Sequence, residues 1–211
     1  MDHIIKNYKY AEFGELNYCF QNGIMYQRDM VVTALYQEDY FAKYRQYEGS
    51  EIARKLNLGR TQITEKYCTF LLDIGIGSGE FIKQSSVDAK GYDINPVAIA
   101  WLQEKQLYCE PKNFCGNGWC FWDSLEHIPD PSKLLSLVSF GSFVFMSLPI
   151  FDDLLAIRKS KHYRPGEHLY YFTTNGLIGW MKEHGFETIE ISDFETVAGR
   201  ENILSFVFQK Y

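Results

Sequence analysis

Acidic residues and glycines follow a short apolar run in the segment "LLDIGIGSGEF", Leu71–Phe81. Asp73 ends the apolar run, and Gly75, Gly77 and Gly79 then alternate with other residues. Glycine adopts the positive φ angles of a tight strand-to-helix turn, so a turn that only needs small residues is one interpretation. A dinucleotide site has the spacing G-x-G-x-x-G, and an acid before the loop repels a pyrophosphate. The segment therefore favours a cationic or zwitterionic ligand.

A second acidic residue, Asp93, ends the next predicted strand, "AKGYDI". An acid at this place can accept hydrogen bonds from both hydroxyls of a ribose. The alternative role for Asp93 is to cap the helix that begins near Pro96. The glycine loop and the two acids together indicate a ribose-bearing ligand more specifically than any one of them.

Strands and helices alternate along the part of the chain that positions these residues. Apolar runs predict the strands "YCTFLLDI", "AKGYDI", "WCFWD" and "GSFVFMSLPIF", and periodic segments predict the helices "GEFIKQSS", "PVAIAWLQEK" and "DPSKLLSLV". The tail predicts the helix "TTNGLIGWMKEHGF" and then the strands "ETIEISDFET" and "ILSFVFQKY". This order predicts an α/β fold with a mostly parallel sheet and helices on both faces. Ligands bind beyond the carboxyl ends of such strands, where both acids lie.

The N-terminal part of the chain has a different pattern. From Met25 to Leu56 it contains no proline and has aromatic residues at helical intervals. Four tyrosines fall on one predicted helix face: Tyr36, Tyr40, Tyr44 and Tyr47. We predict an N-terminal helical extension or lid over residues 1–66 and a ligand-binding domain over 67–211. The tyrosine face either packs against the domain or lines a substrate pocket.

Composition narrows the class of protein. The 211 residues carry a formal net charge of -6, which disfavours nucleic acid as a partner. The five cysteines form no Cys-x-x-Cys pair, and the spacing of Cys109, Cys115 and Cys120 is not that of a zinc site, so we predict no disulfide framework and no metal. Because the sequence shows no signal peptide and no long apolar window, we expect a cytoplasmic protein without a membrane segment.

Three segments resemble successive motifs of the class I S-adenosylmethionine-dependent methyltransferases: "LLDIGIGSGEF", "KGYDINPVAIAWL" and "WDSLEHIPDPSKLL". The third is similar to the D-x-LEH-x-x-DP motif of the small-molecule branch of that family. The likeness covers roughly residues 67–151, and "EHLYYFT" is similar to a later motif. The resemblance implies a Rossmann-like, doubly wound sheet of seven mostly parallel strands, with S-adenosyl-L-methionine as cofactor.

The resemblance also implies roles for particular residues. Those that would hold the methionine and ribose portions of the cofactor are Asp73, Gly75, Ile76, Gly77 and Gly79. Asp93 would bind the ribose diol, and Ile94 would pack on the adenine. Asp123 and Leu125 would lie beside the methionine end and the transferable methyl group.

Methyl transfer from a sulfonium is an in-line displacement, which needs alignment and the exclusion of water more than a protein nucleophile. A hydroxyl or protonated amine acceptor also needs a base. The candidate bases are His127 and His168, with His162 behind them, and each has a structural role as its alternative. The segment "KSKHYRPGEH" is either a solvated basic loop or a clamp for an anionic acceptor.

The function predicted from these observations is methyl transfer to an oxygen or nitrogen of a small-molecule acceptor. One alternative is a nucleobase or nucleic-acid methyltransferase, although the N/D-P-P-Y/F/W motif of amino-directed DNA enzymes is replaced here by "WDSLEH". The other is a non-catalytic S-adenosylmethionine-binding partner subunit.

Overall fold

The computed structural model describes residues 10–13, 16–19, 23–28, 48–152, 157 and 159–211. Its strands are β1 Tyr10–Phe13, β2 Leu16–Cys19, β3 Ile24–Gln27, β4 Phe70–Ile74, β5 Asp88–Tyr92, β6 Gly118–Trp122, β7 Phe143–Pro149, β8 Tyr170–Phe172, β9 Phe186–Ser192 and β10 Ile203–Lys210. Its α-helices are α1 Glu51–Thr64, α2 Glu80–Gln84, α3 Pro96–Glu104, α4 Pro131–Leu135, α5 Thr174–Glu183 and α6 Phe194–Val197. Pro111–Asn113 and Leu125–His127 form single 3₁₀ turns.

The main sheet has the strand order β5-β4-β6-β7-β10-β9. Strands β5, β4, β6 and β7 are parallel, and β10 lies antiparallel between β7 and β9. Strands β4, β6 and β7 are buried, as their near-continuous apolar runs predict, whereas β5 at the sheet edge is only partly buried. Trp119, Phe121 and Met146 lie in the largest hydrophobic core. The predicted α/β class and the mostly parallel sheet are confirmed.

The sheet has six strands and not the seven that the family resemblance implied. Next to β5, where a further parallel strand would pair, the described chain makes only an isolated bridge between Gly91 and Tyr108. Two hydrogen bonds support this bridge, from Gly91 N to Leu107 O and from Cys109 N to Gly91 O. Pro111 then begins a 3₁₀ turn, and because proline has no N–H to donate, the pairing is not extended.

Strands β1, β2, β3 and β8 form a second, antiparallel sheet in that order. The predicted helix from Met25 is wrong at its start, because Met25 lies in β3 and is fully buried. Gly23, with φ of 63°, turns the chain into β3, which pairs with Tyr170–Phe172 of β8. Long-range pairing between buried aromatic and aliphatic side chains thus outweighs local helix propensity.

The described helix of the N-terminal region is α1, which begins at Glu51. The preceding Ser50 caps it, because its side chain accepts a hydrogen bond from the Ala53 N–H. The tyrosine face of Tyr36, Tyr40, Tyr44 and Tyr47 lies outside the described residues. The second sheet takes three strands from before residue 67 and one from after it. In the part of the chain that the structure describes, no helix is long and apolar enough to cross a membrane.

Candidate active site

A cavity of about 700 Å³ opens at the carboxyl ends of β4, β5 and β6. Eight of the residues singled out in the sequence line it: Asp73, Gly75, Ile76, Gly77, Asp93, Ile94, Asp123 and His127. Gly79, Leu125 and His168 are not among its lining residues. The volume is within the range of small-molecule and cofactor sites, about 300 to 1,000 Å³.

All three glycines of the loop after β4 have positive φ angles, of 78°, 56° and 75° for Gly75, Gly77 and Gly79. A Cβ on Gly75 would lie 2.8 Å from the Cβ of Ser124, and one on Gly79 would lie 2.7 Å from the ring of Trp101 in α3. The loop therefore needs glycine for its backbone and for close packing. Gly75 and Gly77 also line the cavity, whereas Gly79 packs the start of α2 against α3.

Asp93 connects the end of β5 to the glycine loop. Its carboxylate accepts hydrogen bonds from the N–H of Ile76 at 3.0 Å and from the N–H of Asn95 at 2.8 Å. The side chain that caps α3 is that of Asn95 and not of Asp93. Burial raises the pKa of Asp93, against the effect of these N–H donors. Ile94, which is 63% exposed, offers an apolar surface on the cavity wall.

Asp73 lies at the floor of the cavity, with 1% of its surface exposed. Its Oδ1 atom has no hydrogen-bond partner among the described residues. Burial raises the pKa of this carboxyl to about 8, although the nearby Arg60 charge opposes the shift. A cationic group in the cavity would supply the partner that the ionised carboxylate lacks.

Asp123 is held by two arginines. Arg200 contacts both of its oxygens at 2.8 Å, and Arg60 lies 3.1 Å from Oδ2. Both arginines also pair with the fully buried Glu195. Burial alone would raise the pKa of Asp123, but Arg200 and Arg60 lower it to about 2. Sequence reasoning missed these partners of Asp123, since no local motif marks Arg60, Glu195 or Arg200.

Leu125 is a core residue with 1% of its surface exposed, and the adjacent Ser124 is the residue that lines the cavity. Asp123, which precedes them, adopts a φ of 52°. This left-handed backbone is uncommon for a residue other than glycine and turns the chain sharply at the end of β6. The turn brings Leu125 beneath the site and leaves the Asp123 carboxylate at its wall.

His127 and His168 meet edge to face, with ring centroids 4.7 Å apart. His127 Nδ1 lies 2.9 Å from the carbonyl oxygen of Glu167. Because a carbonyl only accepts, Nδ1 carries the proton and Nε2 keeps its lone pair. Burial lowers the pKa of both histidines, in His168 to about 3, so His168 is neutral at physiological pH. His162 is separate from them and contacts the Glu201 carbonyl oxygen at 2.8 Å.

Glu126 is a further buried acid that sequence reasoning did not select, although it lies within the quoted "SLEH". Only 1% of its surface is exposed, and neither carboxylate oxygen has a hydrogen-bond partner in the described structure. Burial, and then the Asp123 charge, raises its pKa to about 8.

The basic segment 159–168 has partners of its own. Lys161 pairs with Glu201 at 2.9 Å and Arg164 with Glu167 at 3.1 Å. Both pairs are largely exposed and contribute little to stability. A clamp for an anionic acceptor at this segment stays a prediction. The five cysteines are free thiols.

Comparison with known proteins identifies the family. The family model for the methyltransferase domain matches residues 40–191, and the chain belongs to that family. No curated protein matches the sequence. The expectations of a methyltransferase and of S-adenosylmethionine as its cofactor are confirmed at the level of the family.

Solved structures share the fold at low sequence identity. A methyltransferase from Archaeoglobus fulgidus, dependent on S-adenosylmethionine, has a TM-score of 0.58 and 18% identity, covering 81% of this chain and 99% of that one. A magnesium protoporphyrin IX methyltransferase from Synechocystis PCC 6803, with bound S-adenosylhomocysteine, has a TM-score of 0.54 and 14% sequence identity. The match covers 83% of this chain and 96% of that one. A 1,6-didemethyltoxoflavin N1-methyltransferase from Burkholderia thailandensis has a TM-score of 0.55 and 12% sequence identity. The match covers 82% of this chain and 84% of that one.

The cavity suits this cofactor chemically. The unpartnered Asp73 oxygen matches an ammonium group, and Gly75 and Gly77 of the glycine loop line the same cavity. Asp93 and the apolar Ile94 stand side by side on one wall, as a ribose and an adjoining base require.

Breaking the arginine network should destabilise the fold. For Arg200→Met we expect the free energy of unfolding to fall by about 1 to 3 kcal/mol, because buried Glu195 and Asp123 lose a charged partner. For Lys66→Met, which breaks the more exposed pair with Glu190, we expect a change within about 1 kcal/mol. Urea unfolding of both variants measures this, and equal losses would contradict the interpretation.

Asp73 should make stability depend on pH. The folded state keeps the Asp73 proton up to a pKa of about 8, whereas the unfolded chain loses it near 3.8. From about pH 5 to about pH 8 the unfolding free energy should therefore fall as pH rises, by at most about 1.4 kcal/mol per pH unit for this group. Asp73→Asn should remove this contribution and be increasingly more stable than wild type over that range.

The measurement is denaturant unfolding of the cofactor-free protein across that pH range. Asp88→Asn, at an exposed position on β5, is the matched control and should follow the wild-type curve. Parallel curves for wild type and Asp73→Asn would contradict the shifted pKa.

Proposed function

We propose that this protein transfers a methyl group from S-adenosylmethionine to an oxygen or nitrogen atom of a small-molecule acceptor. The observation that carries the proposal is that one cavity collects Asp73, the glycine loop, Asp93 and His127. The cofactor supplies an electrophilic methyl group, and the remaining requirements are binding, alignment and proton removal, which this chain's residues meet as follows.

Residues at the end of β4 bind the methionine portion of the cofactor, and residues at the end of β5 bind its ribose and adenine. The Asp73 carboxylate binds the ammonium of the methionine portion, next to the loop containing Gly75, Ile76 and Gly77. Asp93 binds the ribose diol while its hydrogen bond to the Ile76 N–H keeps the loop in place. Ile94 packs on the adenine.

His127 is the better base of the two histidines. It lines the cavity, and its Nε2 lone pair is free because Nδ1 donates to the Glu167 carbonyl. His168 is buried behind it, and a pKa of about 3 makes its imidazole a weak proton acceptor. The proton of a hydroxyl or ammonium acceptor therefore passes to His127 Nε2.

Residues from different parts of the chain form the cavity wall beside His127, where the acceptor would bind. Arg60 and Leu56 of α1 line the cavity together with Ile128 and Pro129, which follow the 3₁₀ turn. Residues 1–66 thus contribute to the cavity wall as well as to the second sheet, which supports a role in acceptor selection for this part of the chain. The apolar share of the wall favours an acceptor with a hydrophobic body.

The cofactor site is tested first by titration calorimetry with S-adenosylmethionine and S-adenosylhomocysteine. We expect wild type to bind both, and Asp93→Ala to bind at least about tenfold more weakly, because hydrogen bonds to a charged group contribute about 1.5 to 3 kcal/mol. Asp93→Asn, which keeps an acceptor oxygen for the loop, should be intermediate.

Asp88→Ala, on the same strand but exposed, is the control and should bind as wild type does. Circular dichroism checks that each variant is folded. Unchanged affinity in folded Asp93→Ala would exclude the ribose role, and absence of binding by wild type would remove the main support for the proposal.

The base is tested by His127→Gln. Glutamine retains an N–H that can donate to the Glu167 carbonyl, so the turn should persist while the lone pair of the imidazole is lost. With an acceptor found by screening with labelled methyl groups, we expect kcat to fall by about 10² to 10⁴ and cofactor affinity to be unchanged.

His162→Gln, at a buried histidine bonded to a different carbonyl, should keep wild-type turnover. Wild-type kcat in His127→Gln would exclude the base. Turnover of any small acceptor also distinguishes the enzyme from a non-catalytic partner subunit, and turnover of nucleic acid alone would favour the nucleobase alternative.

A further inference from the structure

Three side chains with metal-binding atoms converge next to the cavity: Glu126, His127 and His168. One ligand atom from each lies within 4.8 Å of the others. Metal–ligand bonds to imidazole nitrogen and carboxylate oxygen are about 2.0 to 2.2 Å long, so small side-chain rotations bring all three atoms around one ion.

The cluster contains unpartnered polar atoms. Both carboxylate oxygens of Glu126 and the Nδ1 atom of His168 lack hydrogen-bond partners among the described residues, and both residues are at least nine-tenths buried. A buried polar group without a partner is costly. One partner with positive charge could satisfy these three atoms together with the Nε2 lone pair of His127.

The backbone around the cluster orients these side chains. The Leu169 N–H donates to the Glu126 carbonyl at 2.8 Å, which joins the 3₁₀ turn Leu125–His127 to the start of β8. His127 donates its Nδ1–H to the Glu167 carbonyl, and the Gln27 side-chain amide donates to the His168 carbonyl. A metal-binding histidine commonly donates its second ring N–H to a carbonyl in this way, which fixes the ring and its tautomer.

We propose that Glu126, His127 and His168 bind a divalent first-row transition ion, such as Zn²⁺ or Mn²⁺. Two imidazole nitrogens and one carboxylate favour these ions over Mg²⁺ and Ca²⁺, which prefer oxygen ligands. Three protein ligands leave coordination positions open, and His127 borders the cavity, so the open side of the ion faces the space next to the cofactor site. The earlier prediction of no metal considered the cysteines, which are not part of this cluster.

Metal binding can be measured without any methyl acceptor. The full-length protein, dialysed against a chelator, is titrated with Zn²⁺, Mn²⁺ and Mg²⁺ by calorimetry. We expect one site per chain for Zn²⁺ and Mn²⁺, with Mg²⁺ at least about tenfold weaker. Loss of a ligand in Glu126→Gln or His168→Ala should weaken Zn²⁺ binding by at least about 100-fold.

His184→Gln is the matched control, because His184 contacts Trp180 and Ser132 and is not part of the cluster. It should bind Zn²⁺ as wild type does. Zn²⁺ should also raise the Tm of wild type and of His184→Gln, but not that of the two cluster variants, since an ion that binds only the folded state stabilises it.

Equal Zn²⁺ affinity in wild type, Glu126→Gln and His168→Ala would overturn the proposal, as would an absence of Zn²⁺ and Mn²⁺ binding by wild type. Neither outcome affects cofactor binding at Asp93. The metal site and cofactor binding are therefore tested separately. Because a bound ion would occupy the Nε2 lone pair of His127, His127 can accept the acceptor proton only in the metal-free protein.

Discussion

The charge network around Asp123 determines the geometry of the site. It joins four parts of the chain, since Arg60 comes from α1, Asp123 from the end of β6, Glu195 from α6 and Arg200 from the turn before β10. Replacing water around buried charges is costly unless each charge has good partners, and here two carboxylates share two guanidinium groups. Because Arg60 also lines the cavity, the same interaction that holds α1 against the sheet fixes one wall of the site.

The acids near the cavity differ in how their charges are compensated. The arginines compensate Asp123, and backbone N–H groups surround Asp93. Asp73 and Glu126 are buried with unpartnered oxygens, and burial raises the pKa of each carboxyl to about 8. Buried acids without partners destabilise the ligand-free protein. A cationic ligand that pairs with them would offset this cost, which is why such groups are common at functional sites. The ammonium proposed for Asp73 and the metal ion proposed for Glu126 are two cases of this one principle.

Sequence reasoning succeeded where the signal was local. The glycine loop and the Pro96 start of α3 depend on neighbouring residues, and eight of the residues selected near strand ends line one cavity. It failed where partners are distant in the chain. Arg60 and Glu195 are 135 residues apart, and β3 pairs with β8 across more than half of the sequence. No spacing pattern encodes such contacts, and Met25 was assigned to a helix because its local propensity gives no sign of that pairing.

The second sheet connects the N-terminal region to the cluster beside the cavity. Gln27, at the end of β3, donates from its side-chain amide to the His168 carbonyl and to the Tyr171 hydroxyl, and its own backbone N–H donates to the Leu169 carbonyl. These bonds fix the segment that supplies His168 through a strand that lies about 140 residues earlier. A change that alters the pairing of β3 would therefore move His168 relative to His127. By this route residues before position 67 would act on the proposed chemistry, although the proposed cofactor-binding residues all follow that position.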